Sequence, residues 1–214
     1  MLSVTEQKPF EEIKEFLGKC KSVYIIGCGT CATALHTGGK AEVLEMKDKL
    51  EAEGKTVPGW MVIPTACDEL TKYALEASDE EIQQADCLLV MSCSYGVHQV
   101  AQFNEKPVFP ALNTLFIGKE NLEGVLDEVC SQCGECVLAW TGGICPVTSC
   151  AKGLLNGPCG GTNKGKCEVD PDKDCAWTLI YNRLKKQDRL DLIEKEQPPK
   201  NYQAVVKPGK LAIK

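Results

Sequence analysis

Residues 23–31 read VYIIGCGTC. Val23 to Ile26 is a short run of β-branched and aromatic residues that stops at Gly27, the pattern of a buried strand. The chain alternates outward from it. Helix is expected over 9–19 before it and over 39–54 after it, with Val43, Met46 and Leu50 on one face and Gly54 closing the second helix. Residues 57–63 give a second strand stopped by Pro64. Helices follow over 70–76 and 79–84, the latter started by Ser78. CLLVM, residues 87–91, is a third strand, 96–103 a helix, and 107–110 a short fourth strand. Such alternation predicts an α/β fold with a Rossmann-like parallel sheet covered on both faces. That domain is expected to span residues 1–128.

Each of the first three strands is followed by cysteine: Cys28 and Cys31, then Cys67 in PTAC, then Cys93 in MSCSYG. Ligands of an open parallel sheet bind outside the carboxyl ends of its strands. Cys28, Cys31, Cys67 and Cys93 are therefore candidate metal ligands of one four-sulfur site. Gly27 to Ala32 also fits G-x-G-x-x-A, a nucleotide-loop pattern. The motif is short, and Thr37-Gly38-Gly39 extends the loop where a helix should begin. Plain buried thiols are the third reading, and the simplest one for Cys20 and Cys87.

The chain has fourteen cysteines, two histidines and a net charge of -6 among 214 residues. The acidic balance argues against sequence-independent nucleic-acid binding. Hydrophobic residues make up 43 %, enough for a real core. No apolar run reaches the roughly 18 residues of a membrane helix, so no membrane insertion is expected. The first sixteen residues lack a basic segment followed by an apolar one, so a signal peptide is not expected and the cytoplasm is the expected compartment. Structural disulfides are rare there, and dense cysteine points to metal. His36 and His98 both lie in the first half, so any metal in the second half must be held by sulfur, which selects zinc or iron–sulfur clusters.

That second half opens a cysteine-rich domain, residues 129–176, followed by a helix over 177–194 and an extended tail to 214. Its cysteines are Cys130, Cys133, Cys136, Cys145, Cys150, Cys159, Cys167 and Cys175, enough for two four-sulfur centres. The opening C-x2-C-x2-C is the spacing of ferredoxin-type cluster loops. Gly134, Gly142, Gly143, Gly157, Gly160 and Gly161 let backbone approach a metal centre closely. Zinc knuckles are the competing reading, since structural zinc also contributes folding energy. Sequence order alone does not assign the eight sulfurs to sites. Trp140, Trp177 and Tyr181 are expected to pack around the metal domain. Arg183, Lys185, Lys186 and Arg189 read as a solvated basic helix face, and the tail from Lys200 to Lys214 as a partner-docking segment.

Residues 129–184 carry C-x-x-C-G-x-C-x-L, T-G-x-x-C-P, K-x-L-x-N-G-P-C-G-G, G-x-C-E-V and C-x-W-x-x-x-Y-x-R in succession. They closely resemble the cysteine-rich C-terminal domain family of methylenetetrahydrofolate reductase-associated proteins. The segment GCGTCATALHTGG also resembles the small-subunit (MetV) family of bacterial methylenetetrahydrofolate reductases. The resemblance implies a non-catalytic subunit that carries iron–sulfur clusters, with zinc an option at one site; the cysteine count places two 4Fe–4S clusters on the C-terminal block, and the strand-end cysteines offer a third site near the N-terminal domain. The resemblance also implies a flavin-bearing partner of the MetF family, with no flavin on this chain. Ferredoxin or heterodisulfide-reductase-like or Rnf-like modules would lie upstream, in the methyl branch of acetyl-CoA synthesis. The alternative is a non-redox assembly subunit with zinc in its cysteine sites.

Overall fold

The structure is a computed structural model that describes residues 1–205 and 207–210. The chain divides into two compact units, Met1–Gly118 and Lys119–Lys214. In chain order the first contains β1 (Leu2–Gln7), α1 (Phe10–Leu17), β2 (Val23–Cys28), α2 (Cys31–Ala34), α3 (Lys40–Ala52), β3 (Trp60–Ile63), α4 (Thr71–Ala77), α5 (Asp79–Gln83), β4 (Cys87–Met91), α6 (Ser94–Gln102) and β5 (Val108–Pro110). It closes with β6 (Leu112–Glu120), which runs across the boundary.

The expected parallel sheet is present, in the order β3-β2-β4-β5. Ile25 to Cys28 pair with Trp60 to Ile63 on one side, and Val23 to Gly27 pair with Cys87 to Met91 on the other. The winding direction reverses between β2 and β4, so their carboxyl ends form the switch point where this class of sheet opens a crevice. Side chains alternate across each strand. Tyr24, Ile26, Leu88 and Val90 pack one face with Leu75, Ile82 and Val100. Val23, Ile25, Leu89 and Met91 pack the other with Ile13 and Leu17 of α1 and Val43, Met46 and Leu50 of α3. Every residue of β2 and β4 is buried, which explains why both read as unbroken apolar runs.

Three local expectations need correction. Strand β3 is shorter than expected, because Val57 and the residues up to Gly59 lead into it as loop. Ser78 makes no side-chain cap for α5; its backbone carbonyl accepts from Ile82 instead. Three strands, at Leu2–Gln7, Leu112–Glu120 and Leu126–Glu128, have no counterpart among the expected elements. β1 pairs antiparallel with β6, from Leu2 opposite Gly118 to Gln7 opposite Leu112, with a bulge between Val4 and Thr5. LSVTEQ leads straight into the acidic start of α1 and reads with it as one amphipathic stretch, so no strand stands out there. β1 also fixes the loop after β2: Thr5 Oγ1 meets Thr37 Oγ1 at 2.7 Å, and Gln7 Nε2 donates to the Thr37 carbonyl at 3.1 Å.

The second unit has less regular structure. The chain turns at Asn121–Val125 into β7 (Leu126–Glu128), which completes the sheet order β1-β6-β7. Two helices follow, α7 (Pro146–Ser149) and α8 (Ala176–Lys186), with single 3-10 turns at Leu138–Trp140, Leu190–Leu192 and Tyr202–Ala204. The core consists of Trp177, Ile180, Leu184 and Leu192, backed by Ile144, Cys150, Cys175 and Ile193. Trp177 packs as expected and donates from Nε1 to the Leu154 carbonyl at 2.9 Å. Trp140 and Tyr181 lie at the surface instead, Trp140 beneath the Lys195 ammonium. The C-terminal helix ends at Lys186 rather than running to 194, because Asp188 takes a left-handed backbone conformation. Arg183, Lys185 and Lys186 occupy its last turn, where cations complement the helix dipole. No helix among the described residues is long and apolar enough to cross a membrane.

Candidate metal centres

All fourteen cysteines are free thiols. Cys87 is buried in the core and Cys20 packs against the same cluster, as expected of structural thiols. Burial drives the Cys87 thiol far up, and the neighbouring Cys20 sulfur adds to the rise. The other twelve fall into three groups set by different structural devices.

The first group sits on the carboxyl edge of the parallel sheet. Cys28 is the last residue of β2 and lies opposite Ile63, the last of β3. Gly27 pairs with Met91, which puts Cys93 two residues beyond the end of β4. Cys93 caps α6, its carbonyl accepting from Gly96 and Val97 at 2.9 and 3.1 Å. Cys67 lies in the turn from β3 to α4, and Cys31 opens α2. Cys28 and Cys93 are buried, Cys31 is half-buried and Cys67 is exposed. Burial pushes the Cys28 thiol up, but the Thr30 hydroxyl at 3.3 Å, the Ala66 and Thr30 N–H groups and the Ser92 hydroxyl outweigh it, and the net effect is a lowered pKa. Burial pushes the Cys67 thiol up, and negative charge on Cys93, Cys28 and Cys31 adds to the rise. Cys67 thus senses the other three sulfurs.

The G-x-G-x-x-A loop does not form a phosphate cradle. Helix α2 has four residues, and the chain doubles back so that the Cys28 N–H donates to the Gly38 carbonyl at 3.0 Å. A Cβ on Gly27 would lie 2.6 Å from that carbonyl oxygen, so the glycine serves close packing of the loop. At the start of α3 the Gly39 N–H already donates to the Glu42 carboxylate at 2.9 Å, placing negative charge where a phosphate would bind.

The second group is Cys130, Cys133 and Cys136 on one tight loop, with Cys145. Gln132 and Gly134 take left-handed backbone conformations in this loop. The Gln132 N–H points at Cys130 Sγ, 3.4 Å away. Lys200 Nζ lies 3.0 Å from Cys133 Sγ and also reaches the Glu135 carbonyl. The Lys200 ammonium holds the Cys133 thiol below its ordinary range. Cys133 raises the lysine in turn, with smaller contributions from Glu135 and Cys145, so Cys145 shares this surrounding. Asn201 N donates to Glu135 at 2.8 Å. Residues 200–201 of the tail therefore clasp the cysteine loop of their own unit. Val206 and residues 211–214 of the expected docking segment lie outside the described residues.

The third group is Cys150, Cys159, Cys167 and Cys175, which line one narrow cavity walled by Trp177. Cys175 caps α8. Burial raises its thiol, but the Thr178 N–H, the Thr178 and Thr162 hydroxyls and the Trp177 N–H bring it below the ordinary value. The Gly161 N–H points at Cys159 Sγ from 3.4 Å. Lys152 pairs with Glu168 at the cavity wall.

Of the eight cysteines of the second unit, Cys150, Cys159, Cys167 and Cys175 line one cavity, and Cys130, Cys133 and Cys136 share one loop. Among the described residues, no three Cys, His, Asp or Glu side chains stand where they could share one metal ion. The groups are defined by the loops and cavities that hold them. The donor set is all sulfur, and N–H groups and cations aim at it, as thiolate-held centres require. On that chemistry the residues fit iron–sulfur clusters or zinc. Lys200 was beyond sequence reasoning, since no spacing links it to the Cys133 sulfur it touches.

Residues 109–203 match the family model described as methylene-tetrahydrofolate reductase C terminal. No curated protein matches the chain, and no solved structure does.

Proposed function

We propose that this chain is an accessory electron-transfer subunit of a methylenetetrahydrofolate reductase. It would carry 4Fe–4S clusters and deliver electrons to a flavin on a MetF-like partner in the methyl branch of acetyl-CoA synthesis. One observation carries the reading: the segment matching the reductase C-terminal family, residues 109–203, contains eight cysteines. Cys130, Cys133, Cys136 and Cys145 would hold one cluster. Cys150, Cys159, Cys167 and Cys175 would hold the other. Bound clusters supply one-electron transfer, which a flavin can collect in pairs for hydride chemistry.

The chain's own residues set the conditions for that transfer. Lys200 places a positive charge against Cys133, which offsets thiolate charge and favours the reduced form of a bound centre. The N–H groups of Gln132 and Gly161 point at Cys130 and Cys159. The N-terminal turn of α8 does the same for Cys175. Trp177 covers one wall of the second cavity and limits water there. Ferredoxin or heterodisulfide-reductase-like or Rnf-like modules are the proposed donors.

The test is anaerobic. The chain, reduced with dithionite and freed of excess reductant, is mixed with its flavin-bearing partner. Bleaching of the flavin absorbance together with reoxidation of the chain is the expected result. A colourless chain that holds only zinc and leaves the flavin oxidised would favour the assembly-subunit reading instead.

A further inference from the structure

Helix α8 carries Arg183, Lys185 and Lys186 and no carboxylate, in a chain whose net charge is -6. Elsewhere in the second unit cations are neutralised locally: Lys152 by Glu168, Lys166 by Asp174, Lys173 by Asp170 and Arg189 by Asp191. Among the described residues, no carboxylate forms an ion pair with Arg183, Lys185 or Lys186. The helix dipole favours cations in a last turn. It does not explain why these cations border exposed apolar side chains.

Leu179, Asn182, Arg183 and Lys186 recur at helical spacing along one stripe and, with Ile144, line an open groove. Leu179 is 41 % exposed, and Tyr181 beside the stripe is 45 % exposed. A Cβ on Gly142 would lie 2.7 Å from Arg183 Cγ, so the arginine stem lies on the bare backbone of the Thr141–Gly143 turn. That packing fixes where the guanidinium is presented. An apolar floor with a charged rim is the make-up of a protein interface, where arginine and tyrosine are enriched. The groove also rests on the cysteine loops. Ile144 is followed by Cys145, and Ile144, Cys150 and Cys175 pack together against the core under α8.

We propose that this groove seats the electron donor, a one-electron carrier protein that presents an acidic face. The inference rests on the electron-transfer reading above and adds to it the donor's place and charge. Carboxylates of the donor meet Arg183, Lys185 and Lys186, and apolar side chains among them cover Ile144 and Leu179. One electron leaves the donor, which is oxidised, and enters a centre held by the loops under the helix, which is reduced. No bond or proton moves. Opposite charge steers the encounter, and salt screens it. A nucleic acid fits less well, since it calls for a basic footprint that this acidic chain lacks.

The experiment uses the full chain, loaded anaerobically with iron and sulfide, and a small acidic ferredoxin as the probe. Stopped-flow mixing with the reduced ferredoxin gives the second-order rate constant for reduction of the chain. In the parent it falls about tenfold from low salt to about 0.2 M salt. Arg183→Glu/Lys186→Glu lowers the low-salt constant about tenfold and removes most of the salt dependence. Lys19→Glu/Lys119→Glu makes the same change of net charge at two other exposed cations, and it lowers the constant less than about twofold. Iron and sulfide contents equal to the parent's show that each variant is intact. Should the reversed helix fail to fold, the parent's salt dependence still decides. A parent constant that salt does not move, a reversed variant as fast as the parent, or an equal loss in the control overturns the proposal. So does a reversed variant that loses affinity for the flavin-bearing partner or for a second copy instead, since the groove then seats that protein. A chain that takes up no iron fails the electron-transfer reading, and this inference with it; a loaded chain indifferent to salt and charge reversal fails this inference alone.

Discussion

The two units place cysteine on different foundations. In Met1–Gly118, apolar side chains from four parallel strands and their helices build two complete cores, and the cysteines are added at the sheet edge. In the second unit, the buried apolar residues among those described are Ala176, Trp177, Ile180, Leu184 and Leu192. Eight cysteines and a run of left-handed glycines occupy the rest. Burying a large apolar side chain contributes about 1.5–3 kcal/mol, so so few cannot offset the ordering of so long a segment. The first unit can fold and then bind metal. In the second, on the proposed reading, metal binding would be part of folding.

Stripping metal from the reduced chain is the largest test of that contrast. Amide exchange over residues 130–175 should rise to the rate of unfolded chain, while β2 and β4 stay protected. Hydrogen-exchange mass spectrometry reads both units in one experiment. Equal protection before and after stripping would break the comparison.

Core substitutions come next in size. Leu89→Ala removes a fully buried side chain from the centre of the parallel sheet. It should cost about 2–5 kcal/mol and leave the metal count of the cysteine-rich unit unchanged. Trp177→Ala opens the wall of the Cys150–Cys175 cavity. It should cost about 3–5 kcal/mol and also lower the metal content, because packing and ligation share that wall. Denaturant melts paired with metal analysis separate the two outcomes.

A smaller effect is expected at Lys200. Its ammonium holds the Cys133 thiol low, so Lys200→Gln should raise that thiol's pKa. The thiolate fraction near neutral pH then falls, and the pH profile for alkylation of Cys133 in the stripped chain moves to higher pH. An unmoved profile would show that the contact is without electrostatic consequence.

The smallest effect concerns Asp86. The N–H groups of Ser22 and Lys21 hold its carboxyl below the ordinary range. A lowered folded pKa means that the stabilisation is present above the unfolded value and is lost as pH falls through the folded one. Asp86→Asn should therefore flatten the acid limb of the first unit's stability curve, with little change at neutral pH. Urea midpoints taken across that range would show it.

The same contrast governs what was legible in the sequence. β2 and β4 are buried on both faces, so VYII and CLLVM announced themselves, and so did the cysteines at their ends. β1 and β6 were not legible, because their pairing joins residues more than a hundred positions apart and neither carries an unbroken apolar run. The eight-cysteine block was legible as a candidate metal domain, yet the cavity shared by Cys150, Cys159, Cys167 and Cys175 was not. That cavity depends on where α8 begins and on which loops meet Trp177, and both are tertiary facts. Lys200 was read as tail because it lies 67 residues from the sulfur it touches.

The most direct measurement is iron and acid-labile sulfide analysis of the anaerobically purified chain, joined to EPR after dithionite reduction. The account predicts iron and sulfide in equal amounts, brown colour and a cluster signal on reduction. It also predicts that both are lost stepwise when Cys133 and Cys159 are replaced in turn. Stoichiometric zinc, no sulfide and no signal would contradict it.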